Sequence, residues 1–237
     1  VESLADRLAR VDAGVAEALR AAGRPADDVH RIVVTKFHPA ELVRQLLALG
    51  VSEFGESRHQ EAQAKAAELA GPQPTSSRPE AQPSVAPPIW HFVGQLQSNK
   101  ARQVRAYASA VHSLDRASVV DALASGGPAV DGFIQINLTD DASRGGVGPD
   151  DVESLAERVH RADGIRLAGL MCVAPLGGDP RGAFARVREL SERVRRIAPG
   201  ATGLSMGMSG DYREAIAEGA THLRIGTAIT GNRPAPR

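Results

Sequence analysis

The chain has 237 residues, 42% of them apolar and only 3% aromatic, and its 28 basic side chains balance 28 acidic ones. Zero net charge argues against a general nucleic-acid binder, and no apolar run is long enough to suggest a membrane span. One cysteine, Cys172, excludes an internal disulfide and a cysteine-built metal site. A core of this composition is built from Ala, Leu, Val and Ile. The opening VESLADRLARVDAG is charged and amphipathic, without a signal-peptide apolar stretch, so the expectation is a soluble, cytoplasmic protein of a reducing compartment.

Residues 3–22 read as a helix. Leu4, Leu8, Val11, Val15 and Leu19 make one apolar stripe, and Gly23 and Pro25 punctuate its end. The stripe is expected to pack on the rest of the domain. An alternation follows. RIVVT (31–35) is a strand, 40–50 a helix stopped by Gly50, 52–55 a brief strand and 59–70 an Ala-rich helix. Strands at 89–94, 109–114, 132–138 and 165–173 precede helices at 99–107, 116–124, 150–162 and 181–197. TGLSMG (202–207) and THLRIG (221–226) flank a last helix at 211–218. Eight strands, nearly all followed by helices, imply a parallel sheet and favour a closed (β/α)8 TIM barrel over an open doubly wound sheet. One domain is expected over 1–233, with 234–237 as a tail. Residues 71–88 hold six of the 15 prolines and, apart from Val85, no large apolar residue. They read as a flexible surface loop inside the domain, because the βα pattern resumes in phase after them.

In parallel α/β folds chemistry collects at the carboxyl ends of the strands. Lys36 follows RIVVT directly. A lysine buried there would lose affinity for its proton, and a neutral amine attacks carbonyls to form a Schiff base. The plainer reading is a solvated lysine at a strand end. LSMGMSGDYREAI (204–216) and THLRIGTAITGNR (221–233) each run from a strand into a Gly/Ser/Thr turn, the second carrying Gly226, Thr227 and Gly231. Glycine admits an anion close to the backbone, hydroxyls donate, and loops after strands 7 and 8 are the usual phosphate site of such barrels. Ordinary turn chemistry is the competing explanation. Strand 1 closes beside strand 8, so the lysine and the phosphate loops share one rim. A carbonyl-reactive lysine beside a phosphate cradle suggests a sugar phosphate, as in a class I aldolase, or pyridoxal 5′-phosphate.

VVTKFHPAE (33–41), FGESR (54–58), WHFVGQLQSNK (90–100), IQIN (134–137), GLM (169–171), LSMGMSGD (204–211) and RIGTAITG (224–231) occur in this order. Together they resemble the YggS/PROSC family of pyridoxal-phosphate homeostasis proteins, over roughly residues 1–233 with the Pro-rich insert between. The resemblance implies a barrel like the N-terminal domain of alanine racemase, with an extra N-terminal helix. Lys36 would carry pyridoxal phosphate as an internal aldimine. Ser205, the Met206 backbone, Gly226 and Thr227 would hold the phosphate, and Arg224 would face the pyridine nitrogen. An always-charged guanidinium hardly shares its proton, so the ring would stay unprotonated and support carbanions weakly. The competing reading of Arg224 is a rim salt bridge with an acid such as Glu214 or Glu218, although its place on strand 8 favours an inward role.

Three positions depart from the family pattern. Ser57 stands in FGES where FGEN is usual, and it offers a single hydroxyl in place of an amide. His38 and Arg144 occupy places where lysines are common, which puts any secondary lysine site in doubt. A racemase needs a second base on the opposite ring face. Tyr107 reads as a surface residue at a helix end, and Tyr212 lies near the phosphate loop. His91 reads as a hydrogen-bonded core histidine, and Met171 and Cys172 as packing. The expected function is therefore intracellular homeostasis of pyridoxal phosphate by a monomer with little or no turnover, with pyridoxal-phosphate-dependent apo-enzymes as candidate recipients. An amino-acid racemase, a class I aldolase using Lys36, and an interaction module using the first helix are the rival readings.

Overall fold

Ser3 opens the first helix with a reciprocal cap. The Asp6 N–H donates to the Ser3 hydroxyl, and the Ser3 N–H donates to the Asp6 carboxylate. That helix, α1 (Leu4–Ala21), buries the expected stripe at Leu8, Val11, Val15 and Leu19. The computed structural model describes residues 2–70, 86–124, 128–139, 141 and 144–232.

Eight parallel strands follow: β1 (His30–Val34), β2 (Glu53–Glu56), β3 (Ile89–Phe92), β4 (Ala110–Leu114), β5 (Val130–Ile136), β6 (Ile165–Cys172), β7 (Gly203–Ser205) and β8 (His222–Ile225). They close into a barrel in sequence order. The seam is the pairing of β8 with β1, from His30 opposite His222 to Val33 opposite Ile225. Between them run α2 (Ala40–Ala48), α3 (His59–Ala70), α4 (Ala101–Arg105) after a 3-10 turn at Ser98–Lys100, α5 (Ala117–Leu123), α6 (Val152–Arg161), α7 (Pro180–Ile197) and α8 (Tyr212–Ala217). One further helix, α9 (Thr227–Thr230), lies where the sequence reads as a turn. Its single turn is too short to show periodicity. Helix α1 packs on α8 and α9, and Arg7 Nε donates to the Ile229 carbonyl at 2.7 Å.

The larger hydrophobic cluster fills the shell between barrel and helices and joins Val33, Phe54, Trp90 and Val111 to helix residues such as Leu46, Val159 and Phe184. A smaller one of Ala110, Phe133 and Met171 lies apart from it. Strands β6 and β7 approach closely at Gly169 and Gly203. A Cβ on Gly169, whose φ is 155°, would collide with the Gly203 carbonyl oxygen, and one on Gly203 would come within 2.7 Å of the Phe133 ring. This close approach is why GLM needs its glycine. Residues 71–85 of the Pro-rich stretch and the 234–237 tail lie outside the described residues. Among the described residues no helix is long and apolar enough to cross a membrane.

Candidate functional site

The carboxyl ends of β1, β2, β7 and β8 form one rim. Beyond β1 the chain stays in the sheet for one more residue, the Thr35 N–H donating to the Gly55 carbonyl at 3.0 Å. Thr35 is fully buried, and its hydroxyl donates to Glu56 Oε1 at 2.7 Å. Lys36 then begins a turn and is exposed. Phe37 takes a φ of 70°, and the Lys36 Nζ stands 5.9 Å from the centre of its ring. The reading of a buried Lys36 is therefore corrected, and the plainer reading of a solvated lysine at the strand end is the one found.

The buried ammonium at this corner belongs to Lys65, from α3. Its Nζ donates to Glu56 Oε1 at 2.7 Å, Glu61 Oε1 at 2.7 Å and the Thr35 carbonyl at 2.8 Å. All three donors are used. Glu61 also accepts the Phe37 N–H at 2.5 Å. The network thus grips the backbone on both sides of Lys36. Burial pushes the Glu56 carboxyl up, with Lys65 opposing it. Burial, and then the Lys65 charge, push the nearby His38 down. Lys65, Glu56 and Glu61 were not singled out in the sequence. Glu61 and Lys65 have the spacing of an ordinary exposed helix pair, and nothing local says that this face of α3 is covered.

Arg224 points into the barrel and is 5% exposed. Its Nη1 donates to the Ser205 hydroxyl at 2.6 Å and its Nη2 to the Cys172 carbonyl at 2.8 Å. Among the described residues no carboxylate lies within ion-pair distance, so the rim salt bridge to Glu214 or Glu218 is not formed; Glu218 pairs with Arg181 and Arg188 instead. Burial lowers the guanidinium's pKa, and Cys172 and then Asp211 act the other way. Burial pushes the Cys172 thiol up to about 12.

Ser205 and Met206, expected to grip a phosphate directly, have their donors engaged elsewhere. The Ser205 side chain is fully buried between Arg224 and His112, whose Nδ1 is 2.8 Å away. The Met206 N–H completes the sheet, donating to the His222 carbonyl at 3.1 Å. Because β7 turns inward at Ser205, the open groups of this loop begin further on. Ser209 accepts the Ala228 N–H at 3.3 Å, which joins the loop after β7 to the first turn of α9. Among the described residues the Gly226 and Thr227 N–H groups have no acceptor. Gly226 lies against the end of β1, where a Cβ would stand 3.7 Å from Val34 Cβ. The structure thus brings Lys36, Gly226, Thr227 and Arg224 to one end of the barrel and adds Ser209. Ser57 follows β2 at the same end, its backbone pressed against Gly94, where no Cβ fits.

Neither tyrosine is a free base on this rim. Tyr107 is half-buried, not a surface residue, with its hydroxyl 3.4 Å from His59 Nδ1 and its pKa raised by burial and then by Glu56. Tyr212 opens α8 and packs against the core. Arg144 is exposed in the stretch between β5 and α6. His91, Met171 and Cys172 are all buried.

The family model of the alanine racemase N-terminal domain matches residues 8–234. The chain belongs to this family. Its relatives include pyridoxal phosphate homeostasis proteins of Pseudomonas aeruginosa, 38% identical with 98% of this chain and 97% of the relative covered, and of Corynebacterium glutamicum, 38% identical with 95% and 98% covered. Among solved structures, PipY of Synechococcus elongatus with PLP bound superposes with a TM-score of 0.75 at 33% identity, covering 92% of this chain and all of that one. Alanine racemase of Corynebacterium glutamicum, at 15% identity and a TM-score of 0.68, shares the fold alone. It spans 98% of this chain, but this chain spans only 62% of it. The barrel, the extra first helix and the membership of the pyridoxal phosphate homeostasis group stand as the sequence motifs implied.

Proposed function

We propose that the chain binds pyridoxal 5′-phosphate at the carboxyl rim of the barrel and serves its homeostasis, with little or no turnover of its own. The observation that carries this reading is a buried guanidinium without a carboxylate partner, Arg224, beside two open backbone donors, Gly226 and Thr227, on the rim that bears Lys36. These groups fit an aldehyde-bearing ring with one phosphate. Thr227, Gly226 and the Ser209 hydroxyl would bind the phosphate, with Ser205 and Met206 as the layer beneath. Arg224 would face the ring nitrogen, and the Lys36 amine would hold the aldehyde carbon covalently. Ser57 would stand beside the ring. When bound, the cofactor supplies an electron sink for carbanions at the amino-acid α-carbon. This chain's residues support that chemistry weakly, because Arg224 keeps its protons and no tyrosine stands free as a second base.

Exposure of Lys36 suits a carrier, since the attachment point is open to exchange. We read the chain as a cytoplasmic monomer that hands the cofactor to apo-enzymes. The test is the visible spectrum of the purified chain with added pyridoxal phosphate, before and after borohydride, followed by peptide mapping. Yellow protein labelled at Lys36, and colourless Lys36→Ala, are expected. Label at another lysine, or none, rejects the assignment. Rapid interconversion of D- and L-amino acids by the loaded protein rejects the carrier reading in favour of a racemase.

A further inference from the structure

The barrel interior holds a polar chain that the cofactor rim alone does not explain. It starts at Arg224 and Ser205. His112, fully buried on β4, stacks on Phe133 with ring centres 4.4 Å apart. Its Nδ1 lies 2.8 Å from the Ser205 hydroxyl and its Nε2 3.0 Å from His91 Nδ1. His91, on β3, brings its Nε2 to 3.1 Å from Glu53 Oε2. Glu53 Oε1 lies 2.8 Å from His30 Nδ1, and the His30 ring stacks on His222 at 4.6 Å. Glu53, His91, His30 and His222 line a cavity of about 570 Å3 at the amino-terminal mouth, opposite the rim.

The direction of the protons follows from satisfying each atom. Ser205 accepts from Arg224, so its own hydroxyl proton needs an acceptor, and His112 Nδ1 is the one in reach. His112 then carries its proton on Nε2 and donates to His91 Nδ1. His91 in turn carries its proton on Nε2, which makes no hydrogen bond and meets the Glu53 carboxylate as a charge contact at 3.1 Å. The hydrogen bonds from the guanidinium to His91 all point the same way and each polarises the next, and the final step to Glu53 is a charge contact. The reverse order, with an imidazolium at His91, leaves the buried Ser205 proton without a partner and adds a second cation to the chain. Burial first, and with it the Arg224 charge, hold His112 well below the ordinary imidazole range, which agrees with a neutral ring. Burial would raise Glu53, but His91 and His30 outweigh it and hold the carboxyl at about 2.

We propose that His112 and His91 are positioning residues that link Arg224 to Glu53 as a counter-charge relayed through the barrel, fixing the guanidinium in the place from which it meets the ring. The proposal rests on the cofactor reading only for that last step. The ordered chain is a property of the protein by itself.

The test uses the full-length chain and long-range proton–nitrogen spectra of its histidines, recorded before and after addition of pyridoxal phosphate. His112 is expected as the neutral Nε2–H form in both, and Glu53→Gln is expected to shift its ring nitrogens through the intervening His91 ring. His112 found as the Nδ1–H form or as an imidazolium overturns the proposal, as does an unmoved His112 signal in Glu53→Gln. His112→Phe keeps the stack on Phe133 and breaks the chain, and is expected to weaken pyridoxal phosphate binding about tenfold. If that variant does not fold, Glu53→Gln carries the binding measurement, with a smaller loss in the same direction. Unchanged affinity in a folded His112→Phe overturns the positioning role. A wild-type chain that binds no pyridoxal phosphate rejects the cofactor reading and leaves the tautomer result to decide the chain.

Discussion

Replacing Lys65 by Met probes how the corner beneath Lys36 is held. The ammonium makes three bonds of 2.7–2.8 Å, two of them to carboxylates, in a side chain that is 6% exposed. Met fills the same channel but leaves Glu56, 1% exposed, facing Glu61 with no cation between them. Removing one partner of a buried ion pair costs about 3–5 kcal/mol, most of it from the charge left behind. For a chain of this size that is a fall in Tm of roughly 6–20 °C. Because the same network accepts the Phe37 N–H and donates to the Thr35 carbonyl, the variant is also expected to hold pyridoxal phosphate more weakly once folded. Thermal melts followed by circular dichroism measure the first effect, and titration with the cofactor the second. Adding Glu56→Gln to Lys65→Met removes the stranded charge and should restore part of the loss. A single variant melting within about 2 °C of wild type would refute the reasoning, since Lys65 would then be an ordinary surface cation.

Gly169→Ala should be among the most damaging small substitutions, because its methyl meets the Gly203 carbonyl across the β6–β7 pair; a loss of about 3 kcal/mol or more is expected in urea unfolding. The Cys172 thiol, buried and raised to about 12, should resist a thiol reagent at pH 8 in the native protein and react at once in urea; native labelling at the unfolded rate would contradict its burial. Glu53 has a folded pKa of about 2 against an ordinary 4.5, so it stabilises the fold above pH about 4.5, and that contribution fades as the pH falls towards 2. Discounted for its partial exposure, the effect is on the order of 1–3 kcal/mol. Glu53→Gln should be less stable than wild type at pH 7 and show a shallower loss of stability in acid. Parallel acid profiles would contradict it.

The barrel was legible because short β-rich runs alternate with helical stretches, and Gly23 and Gly50 stop the first two helices cleanly. The turns after β7 and β8 were legible because glycine and hydroxyl residues cluster in LSMGMSG and RIGTAITG. Lys36 was singled out by position and its exposure was the plainer of the two readings; what nothing in VVTKFHP announces is the turn that exposes it, with Phe37 at a left-handed φ. Ser205 and Ser209 look alike in LSMGMSG. Only the closure of β7 against β8 turns one inward and sets the other over α9. The interior chain was the least legible part. Its members come from β2, β3, β4, β7 and β8, and the His112–Ser205 contact spans 93 positions. Each of these residues sits in a different short strand, so no spacing rule within one element reports the chain they form.

Helix α1 is made long before α9, yet the two are clasped, with Arg7 holding the Ile229 carbonyl. The segment that offers Gly226 and Thr227 therefore leans on a buttress from the other extremity of the fold. Severing residues 4–21 should leave a closed ring of strands whose rim sags at one point. Conversely, a permuted chain that opens elsewhere and splices α9 to α1 through a short tether should keep the Arg7–Ile229 clasp and the rim it supports.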